Sequence, residues 1–165
     1  MKKLIVLLVL VFASLTSFSQ YSWDGDILTM QVKNGYNNTQ YISFMVFDKD
    51  SILMTPQYKQ WLMMRTSDAE YIEENGEKNV FYLLLKDILA MGLECIQDQI
   101  DNPVTVQFDI QEGDVFIYTK DGITDIVVSY YVKYKNAYDR YEYKHVYSTV
   151  YMDGDAATHR CSIIN

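Results

Sequence analysis

The sequence predicts an α+β domain in which a long amphipathic helix packs on a four-stranded antiparallel meander, preceded by an N-terminal β-hairpin-like segment. Three observations predict it. Between Lys78 and Ile100 apolar residues recur at spacings of three and four. After Pro103 the period changes to two. Upstream, the β-rich stretches Ile27 to Lys33 and Tyr41 to Phe47 flank Asn34-Gly35, the pattern of an antiparallel pair with a longer connection.

Each element has its own signature. On the long helix Phe81, Leu84, Leu85, Ile88, Gly92, Cys95 and Ile96 share a broad apolar face, while Asp87, Glu94, Asp98 and Asp101 fall opposite. Before it, Tyr58, Trp61, Leu62 and Arg65 stand at helical spacing behind Thr55-Pro56, which suits an N-cap and first helical position. Ser67 and Glu70 match a capping box. Asp101-Asn102-Pro103 reads as the stop after the long helix. Val104, Val106, Phe108 and Ile110 then alternate with polar residues as a half-buried strand, and Glu112-Gly113 turns the chain into Val115 to Thr119. Asp121-Gly122 turns it again. Ile126, Val128, Tyr130, Val132 and Tyr134 share one face of the third strand, and Tyr141 to Met152 is the fourth after a loop from Asn136 to Arg140. This order fits a cystatin-like or NTF2-like layout by analogy only, and such an analogy carries no function.

The first residues point to a compartment. Lys2 and Lys3 precede an apolar run from Leu4 to Ala13, and a small, polar stretch with Ser17 and Ser19 follows. That is the layout of a secretory signal peptide over residues 1–19, with cleavage expected between Ser19 and Gln20. The run is shorter than the roughly 20 residues that span a bilayer. Residues 20–165 are then expected to form one exported domain, periplasmic or secreted, with no transmembrane segment. Losing Lys2 and Lys3 takes the formal net charge from −8 to −10. An acidic chain disfavours nucleic acid, whose binding depends on Lys and Arg at phosphates. It favours a basic protein partner, and the same surplus also serves plain solubility. In an exported chain Cys95 and Cys161 can pair, closing a loop worth about 3–4 kcal/mol on the loop-entropy scale. The alternative is a free thiol on the helix and another in a C-terminal tail.

Eight of the fifteen tyrosines fall between Tyr130 and Tyr151. On the last strand Tyr141, Tyr143, Tyr147 and Tyr151 share a face with His145 and Thr149, and the register of the final hairpin decides where that face points. With Tyr134 opposite Tyr141, Lys133 meets Glu142 and the tyrosines join the core; this register is favoured because it pairs the charges and gathers the larger apolar set. With Tyr134 opposite Glu142, residues Tyr131, Tyr143, His145 and Tyr147 form an exposed patch suited to a protein or a glycan.

Catalytic patterns are wanting. There is no G-x-S-x-G elbow, phosphate loop or dinucleotide fingerprint. His159 and Cys161 supply two metal-ligand types with no second pair at usable spacing. Asp24-Gly25-Asp26 and Asp153-Gly154-Asp155 look like the start of a calcium loop without its later glutamate, and Asp-Gly is more often turn chemistry. Asp109, Glu112 and Asp114 cluster as hairpin charges, and Asn37-Asn38-Thr39 matches a glycosylation sequon. No cofactor, metal or catalytic residue is expected. The expected function is non-catalytic binding of a protein, in the manner of an inhibitor or immunity protein, with Tyr131, Tyr143, His145 and Tyr147 as the binding residues. The alternative is a small-ligand carrier or modest hydrolase, using a cavity between helix and sheet lined by Tyr130, Tyr143, His145 and Tyr147, with His145 as its base.

Overall fold

Three Asp-Gly pairs bend this chain into hairpins. Asp121 and Gly122 both take positive φ (52° and 76°) in a two-residue loop, as a type I′ turn requires. Asp24-Gly25-Asp26 and Asp153-Gly154-Asp155 each close a two-residue loop as well, so both are turns in the backbone. The computed structural model describes residues 21–34, 38–65, 69–99, 109–136 and 138–164. The expected leader, the helix stop expected at 101–103, the first part of the strand expected from 104, the start of the capping box at Ser67 and part of the sequon lie outside the described residues.

The elements in chain order are β1 (Tyr21–Asp24), β2 (Ile27–Asn34), β3 (Asn38–Val46), α1 (Lys49–Leu53), α2 (Pro56–Met64), α3 (Ala69–Asn75), α4 (Glu77–Gln99), β4 (Asp109–Lys120), β5 (Ile123–Lys135), β6 (Tyr141–Asp153) and β7 (Ala156–Ile164). All seven strands form one sheet in sequence order. Every pairing is antiparallel except β3 with β4, which run parallel through Phe44↔Gly113, Met45↔Asp114 and Val46↔Val115. A parallel pair needs a long crossover, and the four helices are carried by that connection.

This corrects the expected architecture. The sheet is not a four-stranded meander beneath one helix, and the N-terminal hairpin is not a separate segment; the cystatin-like and NTF2-like layouts are set aside. The reason is that the β3–β4 seam joins residues nearly seventy positions apart, and side-chain periodicity carries no information about a strand's lateral neighbour. Two further differences are local. Glu112-Gly113 is not a turn: β4 runs through it with a register shift between Ile110 and Gly113. A Cβ on Gly113 would meet the Ser129 carbonyl oxygen and sit 3.0 Å from Phe44 Cε1, so the backbones approach there as at a β-bulge. The expected C-terminal tail is strand β7, whose weak alternation of small and polar residues conceals it. β1 gives no sequence signal for a similar reason, having four residues of which two are polar.

The helices lie on one face of the sheet. Thr55 caps α2, its hydroxyl accepting from Tyr58 N–H at 3.2 Å. Trp61 Nε1–H and Arg65 both donate to Asp87 Oδ2 at 2.7 Å, which ties α2 to α4. Phe81, Leu84, Leu85, Ile88, Leu89 and Ile96 of α4 are buried against inward residues such as Leu28, Phe44, Val115, Val128 and Tyr130. Gly92 lets α4 approach the sheet: a Cβ there would collide with Tyr130 Oη and lie 2.6 Å from Ser148 Oγ. Near the end of α4, Cys95 is bridged to Cys161 of β7, with the Cα atoms 6.5 Å apart. The opposite face of the sheet is covered by none of the described elements.

Candidate aromatic interaction face

The register of the β5–β6 hairpin is set by its loop. Asn136 Oδ1 accepts from Tyr138 N–H at 2.9 Å and from Arg140 N–H at 3.1 Å, and Asn136 N–H donates to the Arg140 carbonyl at 2.9 Å. These bonds make a closed loop from Asn136 to Arg140, with Asp139 in a left-handed conformation at φ 59°. Lys135 therefore faces Tyr141, and Tyr134 faces Glu142. The favoured register, with Tyr134 opposite Tyr141, is overturned. An ion pair between Lys133 and Glu142 is worth little at a surface, whereas an Asx-type loop satisfies backbone donors directly. Glu142 finds neutral donors instead: Tyr134 Oη at 2.7 Å and Asn136 Nδ2 at 2.6 Å. The Tyr134 bond first, then the Asn136 bond, hold the Glu142 carboxyl below its usual range. Burial, then the bond to Glu142, push the Tyr134 phenol up to about 12.

With that register Tyr131, Lys133, Tyr143, His145 and Tyr147 all point away from the helices. Tyr131 faces His145 across the strands, and their rings stack at 4.3 Å with planes 17° apart. The His145 ring also lies 4.3 Å from that of Tyr147, tilted by 40°. Lys133 Nζ sits 4.2 Å from the centroid of Tyr141 and 5.9 Å from that of Tyr143, and Lys135 Nζ lies 5.3 Å from Tyr141. Tyr131 is 47% exposed and Tyr143 58%, too much for core residues. The four residues singled out from the sequence thus share one open face. Tyr130 does not join them: it is fully buried on the helix side, with its hydroxyl 3.4 Å from Ser148 Oγ. A cavity lined by Tyr130 together with Tyr143, His145 and Tyr147 does not form, because successive residues of a strand face opposite ways.

The same face carries features for which the sequence gives no sign. On its β3–β4 side is an open groove of about 490 Å³ bounded by Ile27, Ser43, Met45, Glu112, Gly113 and Asp114. The register runs from Asp114 to Ser129 to Tyr147, so this acidic groove adjoins the aromatic ladder. The parallel β3–β4 seam brings Ile27 and Met45 beside Glu112 and Asp114, and no local pattern could have signalled that. Arg160 reaches Asp125 at 3.3 Å and covers the Tyr151 ring at 4.9 Å farther along the face.

Ser129 Oγ lies 2.7 Å from His145 Nε2, the spacing of a nucleophile and its base. That pair lies in mid-strand, where the backbone N–H groups serve the sheet ladders on both sides. The His145 ring is packed against two tyrosine rings, Tyr131 across the strands and Tyr147 along its own. The arrangement presents aromatic rings and their hydroxyls, flanked by the Glu112 and Asp114 carboxylates at one side and by the Lys133 and Lys135 ammonium groups at the other.

Elsewhere His159 projects from β7 toward α4, and its Nε2 is buried with no hydrogen-bond partner among the described residues. Burial holds its pKa below the ordinary imidazole value of 6.5. A base with a depressed folded pKa binds its proton more readily in the unfolded chain. Stability is therefore full above pH 6.5 and declines as pH falls from there toward the folded pKa. His159→Gln is expected to flatten that slope in urea titrations run between about pH 7 and about pH 5, and an unchanged slope would assign it to another group.

Among the described residues no three His, Cys, Asp or Glu side chains converge as metal ligands, and no helix is long and apolar enough to cross a membrane. The chain matches no protein-family model, no curated protein and no solved structure.

Proposed function

We propose that this chain is an exported, non-catalytic module that binds a protein partner through the outer face of β4, β5 and β6. The observation that carries the reading is the Tyr131–His145–Tyr147 ladder, held on an uncovered sheet face beside the Glu112/Asp114 groove. Large exposed apolar patches with a polar rim mark interaction surfaces, and tyrosine gives contact area at low conformational cost. A sugar stacks on the flat face of a ring. Here the His145 ring packs against Tyr131 and Tyr147, and two lysines lie over Tyr141, so these rings are already engaged with one another and with cations, which favours a protein. The carboxylates of the groove suit a basic side chain at the rim of the partner's footprint. Export is supported by the leader and by the Cys95–Cys161 bridge, which persists in oxidising compartments.

The test is a pull-down with tagged residues 20–165 from extracts of the native envelope and medium, run beside a Tyr143→Ser/Tyr147→Ser variant. The variant is expected to melt within a few degrees of the parent, because both side chains point away from the core. It is expected to lose at least tenfold in capture of a stoichiometric partner that the parent retains. A variant that retains that partner in full would overturn the reading, and so would a loss of fold, which would return these tyrosines to the core.

A further inference from the structure

The two edges of the sheet are not equivalent. β1 exposes four residues, whereas β7 exposes nine and lies beyond the last pairing. In β7 the two-residue loop is closed by the pair Asp153↔Ala156, so hydrogen-bonded and non-bonded pairs alternate from there. Ala157, His159, Cys161 and Ile163 accordingly direct N–H and C=O away from β6. Ala157 confirms the phase, because its N–H donates to Gln60 Oε1 of α2, and Gln60 Nε2 donates to the Asp155 carbonyl. One glutamine thus stands in for a neighbouring strand at the start of β7. No described residue does so for His159, Cys161 and Ile163.

Along this stretch α4 overhangs the edge. Between them is a groove of about 430 Å³ lined by Met91, Glu94, Cys95, Asp98, His159 and Cys161, among others. Glu94 and Asp98 are one helical turn apart, on the flank of α4 that looks over the position of an eighth strand. Arg160 borders the groove, but its guanidinium is directed to Asp125 and the Tyr151 ring on the other face of the sheet. The Cys95–Cys161 bridge clamps the helix to the edge at this point.

We propose that the β7 edge from His159 to Ile163 takes up an extended basic peptide segment as an added strand, with a Lys or Arg on its helix-facing side placed between Glu94 and Asp98. Backbone pairing supplies affinity in strand addition and alternate side chains supply specificity. Charge selects the occupant. A second copy of this chain, paired edge to edge, would bring two more carboxylates from Glu94 and Asp98 to the junction and add its own negative net charge. A basic segment neutralises the same groups. This site is separate from the aromatic face, and the two stand or fall independently.

The experiment uses residues 20–165 with the bridge intact and two fluorescent heptapeptides, one alternating Lys with Val and one alternating Glu with Val. The lysine peptide is expected to bind at least tenfold more tightly, and to slow amide exchange at His159, Cys161 and Ile163. Glu94→Lys/Asp98→Lys is expected to weaken it at least tenfold. Ile163→Pro, which removes an outward N–H and no bond to β6, is expected to do the same, whereas Tyr143→Ser/Tyr147→Ser leaves binding unchanged. Should the proline variant fail to fold by circular dichroism, the charge reversal decides, since both its sites lie at the surface of α4. Equal binding of the two peptides, no binding at millimolar concentration, or full affinity in the charge-reversed protein would overturn the proposal.

Discussion

Replacing Cys95 and Cys161 together with serine is expected to lower unfolding free energy by about 3–4 kcal/mol and the melting temperature by about 10 °C. The bridge spans a sequence separation of 66 residues. Opening it restores that loop's freedom to the unfolded chain, and the loss in stability is mostly this entropy. It also frees two pieces that lean on each other near the sheet edge: the last turns of α4, beyond Gly92, and β7, which has a strand on one side only. Amide exchange should therefore quicken most in β7 and in α4 after Cys95. Parallel urea melts of the parent and the double-serine protein, both without reductant, measure the difference. A change below about 1 kcal/mol would mean that the denatured chain is already restricted in this loop.

Substituting Gly92 carries the second large effect, and its sign is the informative part. A glycine inside an exposed helix is about 1 kcal/mol worse than alanine, so Gly→Ala there stabilises. At Gly92 the new Cβ meets Tyr130 Oη and stands 2.6 Å from Ser148 Oγ. Tyr130 is fully buried in the core, so its hydroxyl cannot swing away. We expect Gly92→Ala to destabilise by about 1–3 kcal/mol, the range for overpacking a filled core, and Gly92→Val to exceed it. Tyr130→Phe removes the colliding oxygen and gives up one long hydrogen bond of 3.4 Å to Ser148. The pair Gly92→Ala/Tyr130→Phe should then be more stable than Gly92→Ala alone, a favourable coupling that a double-mutant cycle reads directly. A Gly92→Ala protein more stable than the parent would show that α4 rides farther from the sheet than this geometry has it.

The candidate site is legible in part, and the missing part has a definite cause. Tyr131, Tyr143, His145 and Tyr147 can be named together because two-residue alternation places them on one face in one of two registers. Which register holds cannot be read from Lys133 and Glu142, the residues that favour the wrong choice. It rests on Asn136, whose side chain closes the loop onto Tyr138 and Arg140 and leaves Glu142 to Tyr134. The signal is present, since asparagine at the start of a hairpin loop favours such turns, but it is outweighed by a charge pair that a surface hardly rewards. The Glu112/Asp114 groove has no local signal at all, because half of its lining arrives through the β3–β4 seam.

The start and course of the helix α4, the N-cap at Thr55, the hairpin at Asp121-Gly122 and the alternation along β5 and β6 are all written in the residues themselves. These are short-range matters, decided by side-chain spacing, capping hydroxyls and the steric freedom of glycine within a few residues. It takes the folded molecule to reveal that seven strands form one sheet, that Gly113 is a bulge and not a turn, that the last nine-residue strand exists, and that the tyrosine face is uncovered. Each of these depends on which segments meet across the fold, and the free energy of such meetings comes from partners distant in the chain, to which local periodicity is blind.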